Sequence, residues 1–166
     1  MVELFKSSMP PVGARDARLL LLGSLPGDAS LAAQRYYAHP TNQFWRLLGG
    51  ALGEELAVLA YDDRLARLAA RGVALWDVVE RAERLGSLDG AIRSARHNPL
   101  ADYAASHPRV AAIGFNGKAA SAIGRRSLGA SGIILFDLPS SSAAFTASFE
   151  TKLAQWRCLA DFADPA

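Results

Sequence analysis

Arg18-Leu-Leu-Leu-Leu22 runs without a polar break into Gly23-Ser-Leu-Pro-Gly27. Four consecutive leucines lack the alternation of a half-exposed strand. A short apolar run stopped by glycine reads as a strand buried on both faces. Three more stretches have the same form. They are Gly72-Val-Ala-Leu-Trp-Asp-Val-Val79, Val110-Ala-Ala-Ile-Gly-Phe115 and Gly132-Ile-Ile-Leu-Phe-Asp-Leu138, the last stopped by Pro139. Helical patterns lie between them. Residues 42–52 place Phe44, Trp45, Leu47 and Leu48 on one face. Residues 62–71 do the same with Leu65, Leu68 and Ala69, with an aspartate near the start and Gly72 as the stop. Residues 116–126 and 148–162 complete the set. Strands alternating with helices predict an α/β fold whose parallel sheet is covered on both sides. Ligands in such folds bind beyond the carboxyl ends of the strands.

The chain has 166 residues, which suits one domain with a sizeable core. Residues 1–16 read as a peripheral N-terminal segment. Apolar residues are 51% of the chain and charged ones 20%, the balance of an ordinary soluble globule. No apolar run approaches the roughly 20 residues that span a bilayer, and the start of the chain carries no secretion pattern. A cytoplasmic monomer is expected. Cys158 is the single cysteine, so no internal disulfide forms. It is expected on the buried side of a helix. The net charge of +2 does not mark a nucleic-acid binder, though it permits a local basic face. The excess of arginine over lysine fits a biased genome composition as well as it fits DNA contact.

The loop after the first strand is the richest. Gly23-Ser-Leu-Pro-Gly27 permits a tight turn close to a ligand, and its successive amides suit an anion or a carbonyl oxygen. Gln34-Arg-Tyr-Tyr-Ala-His-Pro-Thr-Asn-Gln-Phe-Trp45 follows. Aromatic and amide side chains at a strand end suit a flat heterocycle. Each has a plainer reading as well. Phe44 and Trp45 fit the core, Asn42 fits a helix cap, and His39 fits a turn before Pro40. Asp77 ends the second strand. It either reads the N–H of a base or pairs with Arg81 or Arg84. Asn116, Gly117 and Lys118 enter a helix in a manner that suits phosphate. Pro139, Ser140, Ser141 and Ser142 form either a phosphate contact or an ordinary serine-rich turn. There is no cysteine pair, H-E-x-x-H, G-x-S-x-G elbow or G-x-G-x-x-G, so no metal and no cofactor are expected.

Together these loops resemble the uracil-DNA glycosylase superfamily, and within it the hypoxanthine-DNA (deoxyinosine) glycosylase branch. Kinship to the mismatch-specific uracil glycosylases is also visible. The carrying residues are Gly23-Ser-Leu-Pro-Gly27, Tyr37-Ala-His-Pro-Thr-Asn-Gln-Phe-Trp45, Gly72-Val-Ala-Leu-Trp-Asp-Val-Val79, Gly86-Ser-Leu-Asp89, Phe-Asn-Gly-Lys118 and Leu138-Pro-Ser-Ser-Ser142. The resemblance implies a three-layer α/β/α sandwich around a four-stranded parallel sheet. It implies removal of a deaminated base from DNA after base flipping, with hypoxanthine favoured. The implied base pocket comprises Gly23, Ser24, Leu25, Pro26, Gly27, Tyr37, His39, Phe44 and Asp77. Tyr37 stacks on the base in this reading, and Asp77 reads its edge. Asn116, Gly117, Lys118, Pro139, Ser140, Ser141 and Ser142 grip phosphates and wedge the duplex. The superfamily usually carries a catalytic Asp or Asn where this chain has Leu25. The hypoxanthine branch shares that loss and points to Asn42 as the catalytic residue. The serine loop also lacks the proline that usually follows it. Alternatives are a uracil or G:T/G:U mismatch glycosylase, a non-catalytic damage-binding module, and a hydrolase that uses Ser24 as nucleophile with His39.

Overall fold

The leucine run becomes the middle strand of the main sheet, and its side chains divide between two cores. Leu19 and Leu21 face one hydrophobic cluster, Leu20 and Leu22 the other, and all four are almost fully buried. Side chains of a strand alternate between faces, so a sheet covered on both sides needs apolar residues at every position. A computed structural model of the chain describes residues 4–166.

In chain order the elements are β1 (Phe5–Ser7), β2 (Val12–Gly13), β3 (Leu19–Gly23), α1 (Asp28–Ala33), α2 (Phe44–Leu52), α3 (Tyr61–Ala70), β4 (Val73–Asp77), β5 (Val79–Glu83), β6 (Arg93–His97), α4 (Leu100–Ser106), β7 (Ala112–Asn116), α5 (Lys118–Leu128), β8 (Ile134–Leu138) and α6 (Phe149–Trp156). The main sheet has the order β2-β4-β3-β7-β8. Strands β4, β3, β7 and β8 are parallel. Residues of α2, α3 and α6 pack on the Leu19/Leu21 side, and residues of α4 and α5 on the Leu20/Leu22 side. The α/β/α sandwich is therefore present. The sheet has five strands rather than four, because β2 adds an antiparallel edge to β4. Gly13 makes that edge possible. Its φ is +95°, and a Cβ there would lie 2.4 Å from the Val73 carbonyl oxygen.

Strand β4 stops at Asp77, and the chain crosses at Val78 into a second, antiparallel sheet of order β1-β5-β6. The stretch expected to be one strand through Val79 is thus two. The N-terminal segment supplies β1 to this small sheet and β2 to the large one, and Met9 between them is buried. The last helix is also shorter than its pattern: α6 ends at Trp156 and tightens into a 3-10 segment, Arg157–Phe162. Cys158 sits in that segment half-buried, not on a buried helix face as expected. No helix among the described residues is long and apolar enough to cross a membrane.

Candidate active site

The parallel strands β3, β4, β7 and β8 end on one side of the molecule, and their loops enclose a cavity of about 270 Å³. Gly23, Ser24, Leu25, Pro26, Gly27, Tyr37, His39, Asn42, Asp77, Asn116, Ser140, Ser141 and Ser142 all line it. Phe44 does not: it is fully buried behind Tyr37, ring against ring at 3.7 Å and 10°. Gly117, Lys118 and Pro139 also lie outside the lining. Helix α5 starts at Lys118, so the lysine is carried away from the cavity on the first helical turn, and it is exposed.

Asp77 lies on the cavity wall, 3% exposed, and its Oδ2 has no hydrogen-bond partner. Neither Arg81 nor Arg84 pairs with it. Arg81 lies over the Phe5 ring at 4.6 Å. Arg84 is spent on carbonyls, with Nε donating to Gly86 O (2.9 Å), Nη1 to Leu25 O (3.2 Å) and Nη2 to Pro26 O. It staples the first loop to the β5–β6 hairpin. Burial, reinforced by the charge of Asp89, pushes the Asp77 carboxyl up to about 7, against a lesser opposing pull from Arg84. The Tyr37 hydroxyl is the second unpartnered buried atom. Burial first, then the Asp77 charge, raises its pKa far above the ordinary phenol range. Both groups press on Gly23, where a Cβ would lie 2.7 Å from Asp77 Oδ1 and 2.8 Å from the Tyr37 hydroxyl. Only glycine fits there. Tyr37 itself has a left-handed backbone, φ +54°, an uncommon state for a residue with a side chain.

Asn42 is held from two directions. Its Oδ1 accepts from the Phe44 N–H at 3.0 Å and from Ser141 Oγ at 2.8 Å. Ser141 in turn accepts at Oγ from Asn116 Nδ2 (2.8 Å), and its own N–H donates to Asn116 Oδ1 (2.9 Å). The backbone N–H of Phe44 fixes which end of the Asn42 amide is oxygen. The amide nitrogen is left as the polar atom free to act in the cavity. This network joins loops from β3, β7 and β8. Asn116 and Ser141, read from sequence as phosphate contacts, are buried and bonded to each other.

The remaining polar residues are otherwise engaged. Ser24 Oγ donates to Asp89 Oδ1 at 2.5 Å. His39 Nδ1 pairs with the Thr41 hydroxyl at 2.9 Å. Ser24 and His39 thus each bond another partner, and the nucleophile–base contact that the hydrolase alternative needs is not formed between them. Asp28 lines the rim and pairs with Lys6. Neither the Asp28 nor the His39 side chain bonds the Asn42 amide; the one contact is of the main chain, the Asn42 N–H donating to His39 O at 3.0 Å. The hairpin after β5 brings Ser87, Leu88 and Asp89 to the rim. The sequence reading counted Gly86-Ser-Leu-Asp89 among the residues that carry the resemblance but gave these three no role in the pocket.

A family model described as the uracil DNA glycosylase superfamily matches residues 10–163. That span includes every loop of the cavity. The chain belongs to the uracil DNA glycosylase superfamily. It is 40% identical over 113 residues to a hypoxanthine DNA glycosylase of Methanosarcina barkeri, covering 68% of this chain and 72% of the relative. It is 38% identical over 117 residues to a hypoxanthine DNA glycosylase of Methanosarcina acetivorans, covering 70% and 74%. The structure is similar to a candidate uracil DNA glycosylase of Methanosarcina acetivorans solved by solution NMR, with a TM-score of 0.82 and 34% identity over 93% of this chain and 96% of that one. This superfamily member is a DNA glycosylase, and DNA is its substrate. Leu25, at the position where the resemblance leads one to expect a carboxylate or amide, lines the cavity as a buried apolar side chain.

Proposed function

We propose that the chain removes hypoxanthine from DNA by flipping the deaminated nucleotide into the cavity, with Asn42 as the catalytic residue. The observation that carries this reading is the pair of buried, unpartnered polar atoms, Asp77 Oδ2 and the Tyr37 hydroxyl, on the cavity wall. Buried polar groups without partners are costly, and a base edge supplies the missing bond of Asp77 Oδ2. The names of the two archaeal relatives support the choice of base.

Hypoxanthine differs from adenine in having a carbonyl O6 and an N1–H. Ionised Asp77 accepts the N1–H, while adenine offers a bare N1 lone pair that the carboxylate repels. Each mismatched polar contact costs on the order of 1–3 kcal/mol. One face of Tyr37 is taken by Phe44, so its other face is the one left to stack on a base, a contact worth ~1–3 kcal/mol. Asn42 has spent its carbonyl on Phe44 and Ser141. Its role is therefore that of a donor, stabilising negative charge on the departing base. Lys6, Lys118 and Lys152 are the chain's lysines, and none lines the cavity. Among the described residues no lysine amine lines the cavity to form a Schiff base, which supports a reaction that ends at the abasic site without strand cleavage.

The test is base release from labelled oligonucleotides bearing one hypoxanthine, uracil, xanthine or G:T mismatch, read by alkali cleavage. Hypoxanthine is released fastest, and Asn42→Ala lowers the rate about 10²–10³-fold, as removal of an electrostatic donor does. Release of uracil alone would shift the assignment to the mismatch-type activity. Tight binding without any release would leave a non-catalytic damage-binding module.

A further inference from the structure

The loop of residues 35–42 has two sides. One lines the cavity described above. The other lines a second cleft of about 500 Å³, also walled by α2, α3 and the turn before α3. Tyr36, Tyr37, His39 and Asn42 are common to both. The two differ in charge. The base cavity is lined by Asp28, Asp77 and Asp89 and by no arginine or lysine. The second cleft is lined by Arg35, Arg46 and Arg64 and by no carboxylate.

Like charges converging on one cleft repel, and surface arginines normally find carboxylates. These three have none: among the described residues, the ion pairs involve Lys6 and Arg67, Arg71, Arg96, Arg109 and Arg125. Aromatic rings hold them instead. Arg35 lies over Tyr61 at 5.5 Å, Arg64 over Trp45 at 5.2 Å and Arg46 over Phe149 at 4.2 Å. Stacking fixes a guanidinium plane while leaving N–H edges available. Arg64 is fixed further by donating to Leu59 O and Ala57 O. Burial and the nearby Arg35 both lower its pKa, against a contrary pull from Tyr61, so the site gains by receiving negative charge.

We infer that this arginine cleft receives a backbone phosphate of the DNA strand that carries the flipped nucleotide. The inference rests on the glycosylase reading for its ligand. The separation of charge supports it. A neutral base enters an acidic cavity, and the anionic backbone beside it is held across the shared wall. Arginine forks match phosphate oxygens bidentately.

The test uses duplex DNA with a tetrahydrofuran abasic analogue, which the enzyme cannot cleave, and measures Kd against salt. The double variant Arg35→Gln/Arg46→Gln is compared with wild type and with Arg126→Gln, an exposed arginine that lines neither cleft. Arg64 is left intact because it also braces the turn before α3. The slope of log K against log salt becomes shallower by about 0.9 for each phosphate that the double variant no longer neutralises, and by less for Arg126→Gln. A neutral methylphosphonate is then placed at each position near the lesion in turn. At one or two positions it erases the difference between wild type and the double variant. Equal slopes for the double variant and Arg126→Gln, or strict additivity at every methylphosphonate position, would overturn the inference. Base release by wild type is followed separately. Its absence would overturn the glycosylase reading while leaving the slope comparison intact.

Discussion

Asn42 is a residue whose environment decides its chemistry. Free in a loop, an asparagine offers an acceptor and a donor equally. Here the Phe44 N–H and Ser141 Oγ occupy the acceptor, and Asn116 holds Ser141. If Asn42 is catalytic as proposed, Ser141 is a positioning residue. Ser141→Ala lowers the single-turnover rate of base release about tenfold, equivalent to ~1.4 kcal/mol, and leaves Kd for abasic-analogue DNA and its salt slope unchanged. A direct phosphate contact by Ser141 would do the opposite, weakening binding and flattening the slope. Asp77 provides the second residue-scale prediction. Burial and the Asp89 charge push its carboxyl up to about 7, and in the proposed pocket the ionised form is the one that accepts N1–H. Base release therefore rises with pH through about 7. Asp77→Asn removes that step from the pH–rate profile. A profile that keeps its step in the variant would assign the ionisation to another group.

At the scale of elements, one arginine joins the first loop to the small sheet. Arg84 satisfies the carbonyls of Leu25, Pro26 and Gly86. Arg84→Met fills similar volume but leaves the buried Leu25 and Pro26 carbonyls without their donor, at ~1–3 kcal/mol each, while Gly86 O keeps Lys6. Urea unfolding of the variant shows a loss of several kcal/mol, and base release falls because the cavity floor loses its anchor. An unchanged midpoint would mean that water replaces the guanidinium. Other element-scale features show why parts of the sequence were hard to read. Strand β6 is exposed along its whole length, so Arg93-Ser-Ala-Arg-His97 carries no apolar pattern. Strand β2 is two residues long. Strand β6 exists through its hairpin partner β5, and β2 through β4, which is distant in sequence. Val78, by contrast, lay within a run that read as one strand, and the change of sheet there leaves no mark on hydrophobicity.

For the whole molecule, the site works against stability. A carboxyl whose folded pKa is raised binds its proton more tightly in the folded state than in the unfolded chain. Between about 4 and about 7 the native protein therefore holds more protons, and stability falls as pH rises. Above 7 both states are ionised and the loss is complete. Asp77→Asn removes this penalty. The free variant is more stable than wild type at pH 8 by a few kcal/mol, with little difference at pH 4, as read by urea midpoints. Equal pH dependence in both proteins would show that Asp77 keeps its charge solvated.

The layered α/β architecture, the four parallel strands and the side of the sheet where the cavity lies were all legible along the chain. Apolar strands and amphipathic helices are local patterns, and burial of β3 and β7 on both faces leaves few other solutions, although the edge strand β8, read the same way, is only partly buried. Motif resemblance also placed Asn42, Asp77, Tyr37 and the first loop in one region. Which atoms are spoken for depends on packing. Phe44 moved behind Tyr37, Lys118 swung away on α5, and Asn116 and Ser141 turned inward to hold Asn42. The arginine cleft likewise came from packing: Arg35, Arg46 and Arg64 are separated along the chain. Hydrogen bonds between loops saturate, so which donor or acceptor remains free depends on neighbours far away in sequence.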